Sequence, residues 1–215
     1  MVHILGKNNS IFNQFIAELR DVNVQQDSMR FRRNLERIGE IFAYEISKSL
    51  SYKSTEITTP LGIAQANLAT DQPVIGSILR AGLPLHQGIL NYFDRAENAF
   101  VSAYRKPHKD GTFDIQVEYV SSPDLTDRIL ILADPMLATG ASMVLTYKAL
   151  LIKGIPKHTH FVAAIASAEG LEYAKRNLPP ETTIWIGEVD DELTAQSYIV
   201  PGLGDAGDLA FGTKV

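Results

Sequence analysis

From Ser28 to Leu50, Phe31, Leu35, Ile38, Phe42 and Ile46 recur at three- or four-residue steps, the period of a long helix with one apolar face. The arginines around its other faces, Arg30, Arg32, Arg33 and Arg37, read as a solvated surface with no chemistry assigned. Beyond this helical region at 10–50, short apolar runs alternate with helical stretches: Val74 to Leu79, Phe100 to Tyr104, Ile129 to Ala133, Phe161 to Ala166 and Ile184 to Gly187. Such alternation predicts an α/β fold with a mostly parallel sheet flanked by helices. Phe113 to Val120 differs, because Phe113, Ile115, Val117 and Tyr119 alternate with Asp114, Gln116 and Glu118, the pattern of a half-exposed antiparallel strand. With the turn-rich Lys106 to Gly111 before it, the segment at about 104–122 predicts a flexible β-arm able to close over a bound substrate.

Composition narrows the function. The 215 residues suit one domain, and 45% hydrophobic with 21% charged residues is ordinary for a globular protein. No cysteine is present, which removes disulfides, thiolate nucleophiles and cysteine metal sites and fits a cytoplasmic location. There is no signal-peptide pattern at the start and no apolar run of bilayer length, so no membrane partner is expected. A net charge of −5 argues against nucleic acid and for a small-molecule partner. The five histidines form no convincing metal set and read as ordinary polar positions.

The most informative segment runs from Arg128 through Asp134, Pro135, Met136, Leu137, Ala138, Thr139, Gly140, Ala141 and Ser142 into helix-forming Met143 to Lys153. Strand, loop and helix in that order present backbone N–H groups and the positive helix end to an anion. Thr139 and Ser142 add hydroxyl donors, and Asp134 stands at the carboxyl end of a strand, where a carboxylate can accept from two sugar hydroxyls. A Walker A loop needs a Lys before its final Ser or Thr, and here Gly140 is followed by Ala141 and Ser142. The competing account is a plain strand-to-helix turn with Thr139 as cap.

Gly202 to Gly207 matches the dinucleotide pattern G-x-G-x-x-G, but that site needs a helix opening on the loop and an acid about twenty residues later. Only eight residues follow Gly207. What remains is a glycine-rich loop whose backbone can approach a flat ligand, or a flexible tail. In Ile78 to Pro84, Arg80 sits where a buried strand meets a turn, as a structural ion pair or as a guanidinium for diphosphate.

Asp134 to Ser142 resembles the 5-phosphoribosyl 1-diphosphate (PRPP) motif of type I phosphoribosyltransferases, with Ala133-Asp134-Pro135 as in the uracil branch. Tyr198 to Asp208, continued by Phe211-Gly212-Thr213, resembles the uracil-binding segment of uracil phosphoribosyltransferases. The resemblance implies a type I phosphoribosyltransferase-like fold with a C-terminal base-binding hood at about 188–215. The implied reaction turns uracil and PRPP into UMP and diphosphate. It also implies that Arg80, Arg105 and Asp205 act in catalysis and PRPP binding. Asp134, Pro135, Met136, Leu137, Ala138, Thr139, Gly140, Ala141 and Ser142 would hold PRPP, and Tyr198, Ile199, Gly204, Asp205 and Ala206 would hold uracil. Mg²⁺ is expected mainly through PRPP and water, without direct side-chain ligands. A homo-oligomer is implied, and a GTP effector is left open. Backbone groups can match uracil's two carbonyls and N3–H, and cytosine reverses part of that pattern at roughly 1–3 kcal/mol per unpaired group. Whether Tyr198 covers the base or merely packs stays open. Pro84, Gln87, Ala141, Leu209 and the Thr194-Ala195-Gln196 run depart from the family pattern; Ala141 matters most, since its Cβ disfavours left-handed backbone and could crowd a phosphate. Two rival readings are an RNA-binding sensor on the same fold, disfavoured by the acidic balance, and the same chemistry on hypoxanthine or orotate.

Overall fold

The computed structural model describes residues 1–107 and 113–213, with the backbone alone for 103–107 and 113–116. The elements in chain order are β1 (Val2–Ile4), α1 (Ile11–Arg20), α2 (Ser28–Ser47), β2 (Tyr52–Thr59), β3 (Gly62–Ala69), β4 (Val74–Leu79), α3 (Leu83–Leu90), β5 (Glu97–Pro107) and β6 (Phe113–Ser121). They continue with β7 (Ile129–Ala133), β8 (Met136–Leu137), α4 (Ala141–Leu150), β9 (His158–Ser167), α5 (Ala168–Asn177), β10 (Thr183–Asp190), β11 (Glu192–Leu193), β12 (Ile199–Val200) and α6 (Ala206–Phe211). The main sheet has the order β1-β10-β9-β7-β4-β5-β6, with β8 also paired to β9. Its pairings are parallel except that of β5 with β6. The predicted arm is that antiparallel pair; its turn at 108–112 lies outside the described residues.

Alternation along the central strands builds two cores. Ile129, Ile131 and Ala133 of β7 face Phe12, Ile16 and Leu19 of α1, the apolar stripe of α2, and Leu85 and Ile89 of α3. Leu130 and Leu132 face the other way, onto Met143, Val144, Tyr147 and Leu150 of α4 and Leu171 and Ala174 of α5. A central strand covered on both faces needs an unbroken apolar run, which explains why β7 shows no alternation. The long helix begins where Asp27 accepts from the backbone N–H groups of Met29 and Arg30 at 3.0 and 3.1 Å. Arg32 departs from the solvated-surface expectation: its Nη1 donates to Ala210 O at 2.6 Å, tying α2 to the C-terminal segment.

β2 and β3 pair only with each other, and their residues are almost all exposed. No helix among the described residues is long and apolar enough to cross a membrane.

Candidate active site

β4 and β7 lie side by side in parallel, so the loops after them open on one end of the sheet. Between those loops is a cavity of about 420 Å³. Arg80 and Ala81 form one wall, Asp134 and Met136 to Gly140 with Ser142 a second, and Ser197, Tyr198, Asp205 and Gly207 a third. Three segments separated in the chain thus meet around one space, and ten of the residues expected from the sequence line it.

The helix starts around the cavity are distinctive. Ser10, Asp27, Ser167 and Asp205 cap α1, α2, α5 and α6 with side-chain oxygens. α3 and α4, which follow β4 and β7, have Gly82 and Gly140 at the cap position and no side-chain cap. In α4 the first N–H groups therefore keep bonding capacity for an anion, whereas in α3 Leu83 N already donates to Arg80 O at 3.2 Å and Pro84 has no N–H. Thr139 does little as a cap: its Oγ1 accepts only from Ala141 N, at 3.4 Å, the long limit for such a bond. Asp134 Oδ1 accepts from Met136 N at 3.3 Å, which steadies the loop's first turn.

Gly140 has φ +77°, and it, rather than Ala141, takes the left-handed position. Ala141 is the first residue of α4 and has no positive φ, so the expected backbone conflict at Ala141 does not arise. The loop is seated on the start of α5. Ser167 Oγ donates to Ala138 O at 2.5 Å and accepts from Gly170 N at 2.8 Å. Gly170 is so close that a Cβ there would lie 2.1 Å from Ala138 O.

Arg80 Nη2 donates to Asp208 Oδ1 at 3.3 Å and to Gly212 O at 3.1 Å, while its Nε is buried without a partner. Both side chains of the ion pair are about a third exposed, at 38% and 32%, and such pairs contribute only about 0–1 kcal/mol. The guanidinium can therefore exchange this contact for an anion at little cost. Asp208 is the partner that the sequence reading missed; its signal was the acid one helical turn after Asp205, whose Oδ1 accepts from Asp208 N at 3.0 Å. Pro135 and Ala141 belong to the loop without lining the cavity. Ile199 and Ala206 are buried in the core, so only their backbones are available to a base. Gly204 opens on an adjoining recess of about 320 Å³ that shares Asp205 with the cavity and is also lined by Asp208. Tyr198 stays 42% exposed at the cavity edge, which disfavours simple core packing. The side chain of Arg105 lies outside the described part of the structure.

α6 does open from the glycine loop, so that part of the case against a dinucleotide site falls. The exclusion still stands, because β12 before the loop pairs antiparallel with β11 in a separate two-stranded ribbon and belongs to no βαβ unit. A larger recess, about 1030 Å³, lies at the amino ends of β7, β9 and β10. Its histidines are engaged: His3 stacks on Trp185 at 4.1 Å, His158 bonds Thr183 at 3.0 Å, and His160 Nδ1 accepts from Trp185 Nε1 at 3.1 Å. Burial holds His160 neutral, with a pKa lowered to about 3. Among the described residues no group of three or more His, Asp or Glu is placed to hold a metal ion.

The sheet order, the uncapped loop after β7 and the cavity at the carboxyl ends of the strands define a type I phosphoribosyltransferase fold. An orotate phosphoribosyltransferase from Mycobacterium tuberculosis, solved with PRPP, superimposes with TM-score 0.55 at 13% identity, covering 87% of this chain and 95% of that one. A protein from Aquifex aeolicus superimposes over the whole of both chains with TM-score 0.87 at 28% identity. The chain belongs to the uracil phosphoribosyltransferase family, whose family model matches residues 7–213. It is 56% identical over 211 residues to the uracil phosphoribosyltransferase of Porphyromonas gingivalis, covering 98% of each chain. Against that of Pyrococcus furiosus it is 37% identical, over 94% of this chain and 86% of the other.

Proposed function

We propose that the chain transfers the 5-phosphoribosyl group of PRPP to uracil N1, giving UMP and diphosphate. The observation that carries this is the meeting of a phosphate-type loop, a free guanidinium edge and a backbone-rich base segment around one cavity. The 5-phosphate sits against the loop from Met136 to Ser142 at the positive end of α4, and Asp134 accepts from the ribose hydroxyls. Arg80 and Arg105 hold the diphosphate, for which a planar guanidinium offers paired donors. Uracil lies against Tyr198, with the backbone of Ile199, Gly204 and Ala206 matching its carbonyls and N3–H.

In the reaction the bond from the anomeric carbon to diphosphate oxygen breaks, the bond to N1 forms, and the N1 proton is released. The protein's work is to align the two substrates and stabilise charge, with no covalent intermediate. Asp134 and Asp205 supply hard carboxylate oxygens on the cavity wall, which suit the water shell of Mg²⁺ carried by the diphosphate. When bound, Mg²⁺ neutralises the departing diphosphate.

A homo-oligomer belongs to the same proposal. The β2–β3 ribbon carries Leu61 and Ile63 at 100% and 71% exposure, and an isolated two-stranded hairpin is barely stable in water. Contact with a second copy would cover it; replacing both residues by Ser should lower the mass found by light scattering.

Purified protein incubated with uracil, PRPP and Mg²⁺ should form UMP, with cytosine, hypoxanthine and orotate run alongside and GTP titrated into each. Product from uracil alone supports the reaction and its base assignment. Binding of PRPP without UMP formation at any GTP concentration would overturn catalysis.

A further inference from the structure

α1 ends in Arg20, whose guanidinium reaches across to the base segment. Nη1 and Nη2 donate to Asp190 Oδ2 and Oδ1, both at 2.8 Å. Nη1 also donates to Gly202 O at 3.1 Å, and Gly202 N donates to Asp190 Oδ2 at 2.9 Å. Both backbone polar groups of Gly202 are thus held by one ion pair. Gly202 has φ +56°, and a Cβ there would fall 2.0 Å from Ile199 O, so the chain folds tightly back on itself at this point. Burial alone would raise the Asp190 carboxyl, but Arg20 and the Gly202 N–H outweigh it and hold it below its usual pKa, as a carboxylate.

Asp190 is 8% exposed. A buried ion pair of this kind is a poor source of stability, since apolar residues of similar volume often do as well. It differs from apolar packing in direction: two charge-assisted bonds and two backbone bonds fix where Gly202 stands. The anchor itself is rigid, because Asp190 ends β10 and pairs in register with Ser167 of β9. Gly202 stands two residues before Gly204 and three before Asp205. A second arginine secures the other end of the segment: besides its bond to Ala210 O, the Arg32 guanidinium lies over the Phe211 ring at 5.9 Å.

We propose that the Arg20–Asp190 pair is a positioning and specificity device, setting the height of the Ile199–Gly204 backbone against the base, while Asp205 is held as the cap of α6 and neither side chain of the pair lines the cavity. This rests on the uracil reading above. Displacing Gly202 carries Gly204 with it and spoils the match of backbone donors and acceptors to uracil, while the loop after β7 keeps its place. Discrimination of uracil from cytosine therefore depends on a residue of the first helix.

Asp190→Asn leaves an amide NH2 facing one of the Arg20 or Gly202 donors. It should raise the KM for uracil about tenfold or more while the KM for PRPP stays within about twofold, and should narrow the uracil-to-cytosine ratio of kcat/KM. Arg20→Lys keeps the charge but loses the fork, and should fall between the wild type and Asp190→Asn. Hydrogen exchange of the substrate-free protein should quicken at 199–205 and not at 129–133. Folded Asp190→Asn with unchanged uracil KM and unchanged exchange, or with both KM values rising alike, overturns the proposal. If Asp190→Asn fails to fold, Arg20→Lys decides by the same measurements. A wild-type protein that makes no UMP sinks the activity instead, and the exchange comparison still decides the clamp.

Discussion

Gly170→Ala tests whether the seat of the phosphate loop controls PRPP binding. Gly170 lies in the first turn of α5, where its replacement by Ala should by itself stabilise the helix by about 0.5–1 kcal/mol. Against this, the new Cβ would stand 2.1 Å from Ala138 O and 2.7 Å from Leu137 O, both backbone atoms of the loop. Neither can rotate away as a side-chain tip would. The loop or the helix start must shift by about an ångström to restore van der Waals contact, and overpacking of this kind costs about 1–3 kcal/mol. The clash therefore matches or exceeds the helix gain, for a net loss of about 0–2.5 kcal/mol in urea unfolding. The larger effect is on function, since Ala138 O also accepts from Ser167 and the whole loop moves with it. An ångström of misplacement can cost about a hundredfold in rate, so kcat/KM for PRPP should fall by one to two orders of magnitude, on the order of 10–100-fold. Steady-state rates at saturating uracil, with denaturation curves in parallel, provide the assay. A variant as stable as the wild type with unchanged PRPP kinetics would refute the seating argument.

Arg80→Lys keeps the charge but not the paired donors, and kcat/KM for PRPP should drop about tenfold or more with stability nearly unchanged, because the ion pair it loses is exposed; initial rates against PRPP concentration check this. His160→Gln bears on pH. His160 takes up a proton near pH 6.5 when unfolded but only near a pKa of about 3 when folded, so its burial contributes fully above pH 6.5 and is lost as the pH falls toward 3. Below pH 6 it should steepen the fall of stability by about 1.4 kcal/mol per pH unit, and urea midpoints for His160→Gln, which can still accept from Trp185, should fall less steeply on acidification.

Where the chain is apolar for a reason internal to one element, the sequence was readable. The period of α2 and the unbroken runs of β4 and β7 gave these elements nearly to the residue. β9 begins three residues earlier than its apolar run, because His158, Thr159 and His160 look like loop residues until Trp185 and Thr183 provide partners. The β2–β3 ribbon gave no signal, since strands exposed on both faces need no alternation. At the cavity, the loop after β7 and the C-terminal segment were legible as local patterns. Arg80 was visible as an arginine in an odd place, but Asp208 as its partner was not. The Arg20–Asp190 pair joins residues 170 positions apart, neither of them in a motif, and only the fold brings them together.

The place of β1 in the sheet also bears on how the chain comes off the ribosome. Val2, His3 and Ile4 pair with Ile184, Trp185 and Ile186, and Gly187 leaves room for Phe12 and Ile16 of α1, which a Cβ there would meet at 3.1 and 2.9 Å. The β1 residues therefore wait until β10 has been made before they have a seat. At bacterial or eukaryotic rates of synthesis the delay is on the order of ten to forty seconds, during which β1 has no neighbouring strand and α1 packs on α2 without its contact to β10. Completion of the sheet is thus a late, long-range event, and nascent chains halted before β10 should be held by chaperones far more than the released protein.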